Sequence, residues 1–227
     1  KCETKVDIAF LVDSSGSIGR RNWNIVQHVL IDTIKEITVS ADGNHVAMIH
    51  FSTRPEIVFG FHTLYGSETV ELYSRKINRR RFQKGLTYID RALELAYREI
   101  FKSSAGMRTS DEVRKIAVII TDGVQTSGSY DVISASQPLK DRGVEIYACG
   151  IGSDVDLFEL YQTASNPSNV FSTNTFYSME SDFPRMIREI LCQSERQTSC
   201  VHIPVDTTMD KPLFAQENSI KRGLRVY

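Results

Sequence analysis

Val6-Asp7-Ile8-Ala9-Phe10-Leu11-Val12 is an apolar run broken only by Asp7, and Asp13-Ser14-Ser15-Gly16-Ser17 follows it without a gap. A strand this apolar at successive positions, rather than at alternate ones, is expected where both faces of a sheet are covered, as in a parallel sheet between helices. The polar pentapeptide then lies at the strand's carboxyl end, where ligands bind in such sheets.

The pattern to either side supports that reading. Residues 22–37 place Trp23, Val26, Val29, Leu30, Ile34 and Ile37 at helical spacing. Residues 45–51 and 56–61 are strand candidates joined by Ser52-Thr53-Arg54-Pro55, a connection short enough to predict an antiparallel hairpin. Helices are expected over 70–77, 88–101, 132–140, 157–164 and 183–192, the last with Pro184 in its first turn. Residues 115–121 (KIAVIIT) form a second buried strand, and 144–149 and 170–172 two more. The expected fold is therefore α/β, doubly wound, with a mostly parallel central sheet, one antiparallel edge strand and helices on both faces. The expected domain is 1–192. Residues 193–227 hold Pro204, Pro212 and Cys200 without periodicity and are expected to be a tail, a linker or a fragment of a neighbouring module.

Composition narrows the function. A formal net charge of -1 over 227 residues gives no reason to expect nucleic acid or an anionic membrane as partner. No apolar run approaches the roughly 20 residues that span a bilayer, so no membrane insertion is expected in this segment. The opening Lys1-Cys2-Glu3-Thr4 is not a signal peptide, which suits a processed or trimmed ectodomain. The cysteines Cys2, Cys149, Cys192 and Cys200 include no CxxC pair and no histidine at zinc-ligand spacing, so structural zinc is not expected. Four cysteines allow three full pairings. Cys149 lies in an apolar run and is expected as a buried free thiol. Cys2 and Cys192 flank the folded part, and a bridge between them fits an oxidising compartment.

Three polar motifs fall at strand ends or helix openings: Asp13-Ser14-Ser15-Gly16-Ser17, Gly85-Leu86-Thr87 and Thr121-Asp122-Gly123. Each alone reads equally well as a helix cap or a turn. Together they say more, because Asp13 and Asp122 follow the two most apolar strands, which should be neighbours at the sheet's centre. Two carboxylates at one rim repel unless a cation lies between them. Hydroxyls and carboxylates are hard oxygen donors suited to Mg²⁺, Mn²⁺ or Ca²⁺ rather than zinc or copper. Neutral hydroxyls leave such an ion electron-poor and receptive to an outside carboxylate.

In the order DxSxS, Gly-x-Thr, then a strand ending TDG, the chain resembles the von Willebrand factor type A domain family over about residues 5–192. The resemblance implies a metal-ion-dependent adhesion site (MIDAS), with Mg²⁺ or Mn²⁺, and Ca²⁺ as a further candidate. Ser15, Ser17 and Thr87 would supply hydroxyls, Asp13 and Asp122 would bind directly or through water, and a partner's Glu or Asp would complete the octahedron. The family often carries a second Thr two residues after the first, where this chain has Ile89. In related integrin modules a shift of the last helix accompanies tighter ligand binding; a Cys2–Cys192 bridge would oppose it.

The basic run Arg79-Arg80-Arg81 with Lys84 precedes Thr87, either as a solvated loop or as a rim that draws an acidic ligand or a sulfated glycan. Trp23 is expected in the core, and the five histidines are given no role. No GxSxG elbow, P-loop or GxGxxG fingerprint is present, and Gly150-Ile151-Gly152 lacks the third glycine, so no enzyme is expected. The expected function is extracellular adhesion to a protein ligand presenting Glu or Asp, with collagen or another matrix protein as candidates. The alternatives are a structural matrix-assembly unit, or a sulfated-glycan binder, in which the metal is incidental.

Overall fold

The computed structural model describes residues 5–62, 69–128 and 130–192. The proposed tail, Cys2 and Cys200 lie outside the described residues. Six strands form one sheet: β1 (Lys5–Asp13), β2 (His45–Phe51), β3 (Glu56–Phe59), β4 (Val113–Thr121), β5 (Val144–Ile151) and β6 (Val170–Thr173). Their order is β3-β2-β1-β4-β5-β6. All neighbours are parallel except β2 and β3, which form the expected antiparallel hairpin. The sheet is thus built outward in both directions from β1, and the β1/β4 border is its topological switch point.

The continuous apolarity of β1 has a direct cause. Val6, Ile8, Phe10 and Val12 pack on one side against α1 (Gly19–Glu36), α2 (Thr69–Asn78) and α6 (Met179–Cys192). Ala9 and Leu11 pack on the other against α3 (Ile89–Leu95), α4 (Val132–Asp141) and α5 (Leu157–Thr163). On that second face Ala47, Ala9 and Ala117 stand side by side across β2, β1 and β4, where Ala92 and Ala96 of α3 join the same core. Trp23 is buried in the first core, as expected.

Three local expectations need correction. The helix expected over 88–101 is α3 followed by a wider π turn, Ala96–Ile100, in which the Phe101 N–H donates to the Ala96 carbonyl. The extra residue lets both Ile100 and Phe101 turn inward, and Phe101 meets Phe61 edge-on with ring centroids 5.5 Å apart. The last helix begins at Met179, four residues earlier than expected, because Met179 is buried in the core and a hydroxyl cluster of Thr173, Thr175 and Ser178 holds the entry. Pro184 is consequently inside the helix and not in its first turn. The carbonyl it leaves without a helical donor belongs to Glu180, an exposed residue that water can reach.

The histidines also have work that the sequence did not show. His50 is buried beside Trp23, 3.3 Å from Glu56 Oε2 and 3.0 Å from Gln83 Nε2. At the opposite end of the sheet the buried Asp7 carboxylate accepts from the Arg108 backbone N–H at 2.7 Å and from its Nε at 2.8 Å. Arg108 also donates to the carbonyls of Gly43 and Val6, and His45 Nδ1 stands 3.5 Å from Asp7 Oδ1.

Candidate metal centre

β1 delivers Asp13 to the carboxyl end of the sheet with its side chain fully buried. Its Oδ1 accepts the Ser15 N–H at 2.7 Å, and its Oδ2 accepts the Thr121 hydroxyl at 2.7 Å. Each oxygen keeps a second lone pair. Burial pushes the carboxyl up from 3.8 to about 6; the bonds from Thr121 and Ser15 oppose that rise, and the charge on Asp122 adds to it.

The two serines point the same way. Ser15 Oγ and Ser17 Oγ are 3.0 Å apart, and Ser17 Oγ donates to Asp122 Oδ1 at 2.7 Å. Asp122 is also raised, first by burial, against the pull of Ser17, and further by the charge of Asp154 in the loop after β5.

Backbone contacts bind the third motif to the first. The Gly16 N–H donates to the Gly85 carbonyl at 2.8 Å, and the Lys84 N–H to the Ser14 carbonyl at 3.1 Å. A Cβ at 85 would collide with Thr53 Oγ1 and Ser52 Oγ, so a side chain there would displace both hydroxyls. Lys84 enters this turn in the left-handed region, at φ 60°. Thr87 is tied to the loop after β4 in both directions: its N–H donates to Thr126 Oγ1 at 3.1 Å, and its carbonyl accepts the Thr126 N–H at 2.8 Å. A Cβ placed on Gly123 would lie 3.6 Å from Ser17 Oγ and 3.7 Å from Thr87 Oγ1, so the two hydroxyls flank one point. The structure therefore brings together Asp13, Ser15, Ser17, Thr87 and Asp122, from three separate segments, at the switch point.

Helix capping does not account for these side chains. The first residue before α1 is Ile18 and that before α3 is Tyr88, and neither helix receives a side-chain cap there. Among the described residues no three His, Cys, Asp or Glu side chains gather as a metal-holding group. The set is instead two carboxylates completed by three neutral hydroxyls, an all-oxygen arrangement that fits a hard divalent cation.

The basic run divides between solvent and the fold. Arg79, Arg81 and Lys84 are exposed. Arg80 turns toward Glu56, with Nη1 3.6 Å from Oε2, while its carbonyl accepts from Trp23 Nε1 and Gln27 Nε2. Leu86 and Val124, half-exposed apolar residues adjoining Thr87 and Gly123, are further neighbours that the motifs alone do not reveal. Asp154 is another. An apolar residue inside an otherwise polar strand-end motif, and an acid just past a parallel strand, were the available signals.

Cys149 is free and buried, as expected, and burial pushes its thiol to about 12, with a smaller contribution from Asp182. Cys192 is disulfide-bonded. Cys2, assigned as its partner from the sequence, is outside the described residues.

A match to the von Willebrand factor type A domain runs over residues 7–185. The collagen alpha-5(VI) chain of Mus musculus is 29% identical over 194 residues, covering 85% of this chain and 7% of its own length. Cuticlin-6 of Caenorhabditis elegans is 28% identical over 190 residues, covering 84% of this chain and 31% of its own. The chain thus spans less than a third of either relative. Among solved structures, proximal thread matrix protein 1 from the mussel byssus superposes with a TM-score of 0.76 at 23% identity, over 85% of this chain and 49% of that one. A further structure of that byssus protein has a zinc-occupied MIDAS motif. At this identity the byssus protein supports the fold alone. With the family match running from β1 into α6, across the whole sheet and all three site motifs, this chain belongs to the von Willebrand factor type A domain family.

Proposed function

We propose that this domain is an extracellular adhesion module that grips an acidic side chain of a protein ligand through a divalent ion held by Asp13, Ser15, Ser17, Thr87 and Asp122. The observation that carries the reading is the buried Asp13 carboxylate, raised to about 6 and set beside Asp122 and a cluster of neutral hydroxyls. Mg²⁺ or Mn²⁺ suits this oxygen set best, with Ca²⁺ a further candidate. When bound, the ion supplies an open coordination position for a carboxylate from outside. Asp13 is oriented for it by Ser15 and Thr121, and Asp122 by Ser17. Leu86 and Val124 offer apolar surface beside the site, which favours a protein surface over a glycan. Arg79, Arg81 and Lys84 would draw an acidic partner toward this end of the sheet.

Relatives named as collagens support a matrix setting, with collagen or another matrix protein as partner, and a binding role rather than an enzymatic one. We take residues 1–192 as the adhesion domain and 193–227 as an appended tail or the start of another module. The test is binding to immobilised matrix extract in Mg²⁺, in EDTA, and by Asp13→Ala. Loss in EDTA and in the variant is the expected result. Undiminished binding by Asp13→Ala in Mg²⁺ buffer would refute the metal-dependent reading and leave matrix assembly through other faces.

A further inference from the structure

Beside the metal centre, a cleft of about 290 Å³ opens between α3 and α4. Its wall carries an unexplained group. Asp90 is only 3% exposed, and its Oδ2 accepts the Tyr130 N–H at 3.1 Å. Its Oδ1 is buried with no hydrogen-bond partner. Buried polar atoms are almost always paired, and an open carboxylate oxygen is the costliest kind to leave alone. The residue is nevertheless held firmly: the Asp90 N–H donates to Gln125 Oε1 at 2.9 Å, and Gln125 Nε2 donates to the Tyr130 carbonyl at 2.6 Å.

The rest of the cleft is suited to a cation on an apolar stem. Tyr97, Tyr130 and Pro138 line it, with Ser134 and Glu94 as further oxygen donors. Ser134 Oγ donates its proton to Asp131 Oδ2 at 3.0 Å, so its lone pairs remain to accept. Glu94 is paired through Oε1 with Arg98 at 2.8 Å, at the exposed mouth. The other nearby cation, Arg142, is committed: it stacks on the Tyr97 ring at 3.8 Å and donates to the carbonyls of Tyr97 and Phe101.

We propose that this cleft receives a lysine side chain of a partner protein, with the ammonium directed at the Asp90 carboxylate, whose buried Oδ1 the entering group uncovers. The volume lies at the small end of ligand pockets, which start near about 300 Å³, and suits one side chain rather than a whole small molecule. An ammonium has three donors, and Asp90, Ser134 and Glu94 offer three acceptors, while Tyr130 supplies an aromatic face for the charge. Arginine fits less well, because a single open carboxylate oxygen cannot take its bidentate fork. Thr87 stands two residues before the start of α3, so a partner could place an acid on the metal centre and a lysine here at once. The inference itself does not depend on the metal.

The full chain, in EDTA, is titrated with Nα-acetyl-lysine methylamide while its amide resonances are followed by NMR. Saturable shifts at Asp90, Tyr97, Tyr130 and Ser134 are expected, with none from the norleucine analogue, which keeps the stem and lacks the charge. Asp90→Asn should weaken the response about tenfold or more, since it replaces a charged acceptor facing a cation. Should that variant fail to fold, the exposed changes Tyr130→Ala and Glu94→Gln must each weaken it severalfold. No saturable shift, an equal response to norleucine, an arginine analogue binding as tightly as lysine, or unaltered binding by folded variants would overturn the proposal.

Discussion

Asp13→Asn is expected to stabilise the metal-free domain while abolishing its response to Mg²⁺. Burial raises the Asp13 carboxyl from 3.8 to about 6. At about 1.4 kcal/mol for each pH unit of displacement, the ionised carboxylate costs the folded, metal-free domain about 3 kcal/mol at neutral pH. Between about pH 4 and pH 6 the folded state holds a proton on Asp13 that the unfolded chain has released. Stability from this group is therefore full at the acid end, falls as pH rises through that window, and stays low above it. Asparagine removes the charge and keeps the contacts. Its Oδ1 can still accept the Ser15 N–H, and its amide can donate to Thr121 Oγ1. That hydroxyl would turn toward the Gly123 carbonyl, now 3.4 Å away.

Thermal unfolding of both proteins in EDTA, from about pH 4.5 to about pH 7.5, measures the difference directly. Each kcal/mol moves the midpoint of a domain this size by about 2–4 °C, so the variant should melt up to about 6–12 °C higher at neutral pH. That gap should close toward the acid end. Mg²⁺ should raise the midpoint of the wild-type chain alone, because only that chain gains by binding the ion in its folded state. A gap that does not change with pH, or a variant less stable than wild type in EDTA at neutral pH, would refute the assignment of a strained carboxylate to Asp13.

Peptide mapping under non-reducing conditions is expected to find Cys2 joined to Cys192; the register of Val6 beside Arg114, whose Nη1 donates to the Ile190 carbonyl at 2.6 Å, places the starts of β1 and the end of α6 at one end of the sheet. Replacing both cysteines by Ser should cost up to about 5 kcal/mol and, by freeing α6, tighten ligand binding within the usual coupling range of about 1–3 kcal/mol; a free Cys2 thiol in secreted protein would exclude the bridge. Arg108→Met should cost about 3–5 kcal/mol in denaturant unfolding, because it leaves the buried Asp7 carboxylate without its cation. Asp7→Leu combined with Arg108→Met should recover most of that loss, and a double variant as unstable as the single one would show that packing, not charge, is at stake.

What could be read from the sequence was set by range. β1 and β4 announced themselves because a strand covered on both faces has no polar alternation to keep, and the two most apolar strands do stand together at the centre of the order. Once they are neighbours, Asp13 and Asp122 must share a rim, and the hydroxyl motifs acquire a common purpose that none has alone. The early start of α6 was hidden, since it depends on Met179 meeting a core assembled from β1 and α1, while Pro184 read as a local start signal. His50 was equally silent, because Gln83 is distant in the chain and Trp23 arrives from another element. Asp90 is the sharpest case. In sequence it is an ordinary acid in a helix's first turn, favoured by the helix dipole. Only the loop that brings Gln125 and Tyr130 against it pairs one of its oxygens and leaves the other buried without a hydrogen-bond partner. A residue whose type is explained by local physics can thus carry a role that only its tertiary neighbours create.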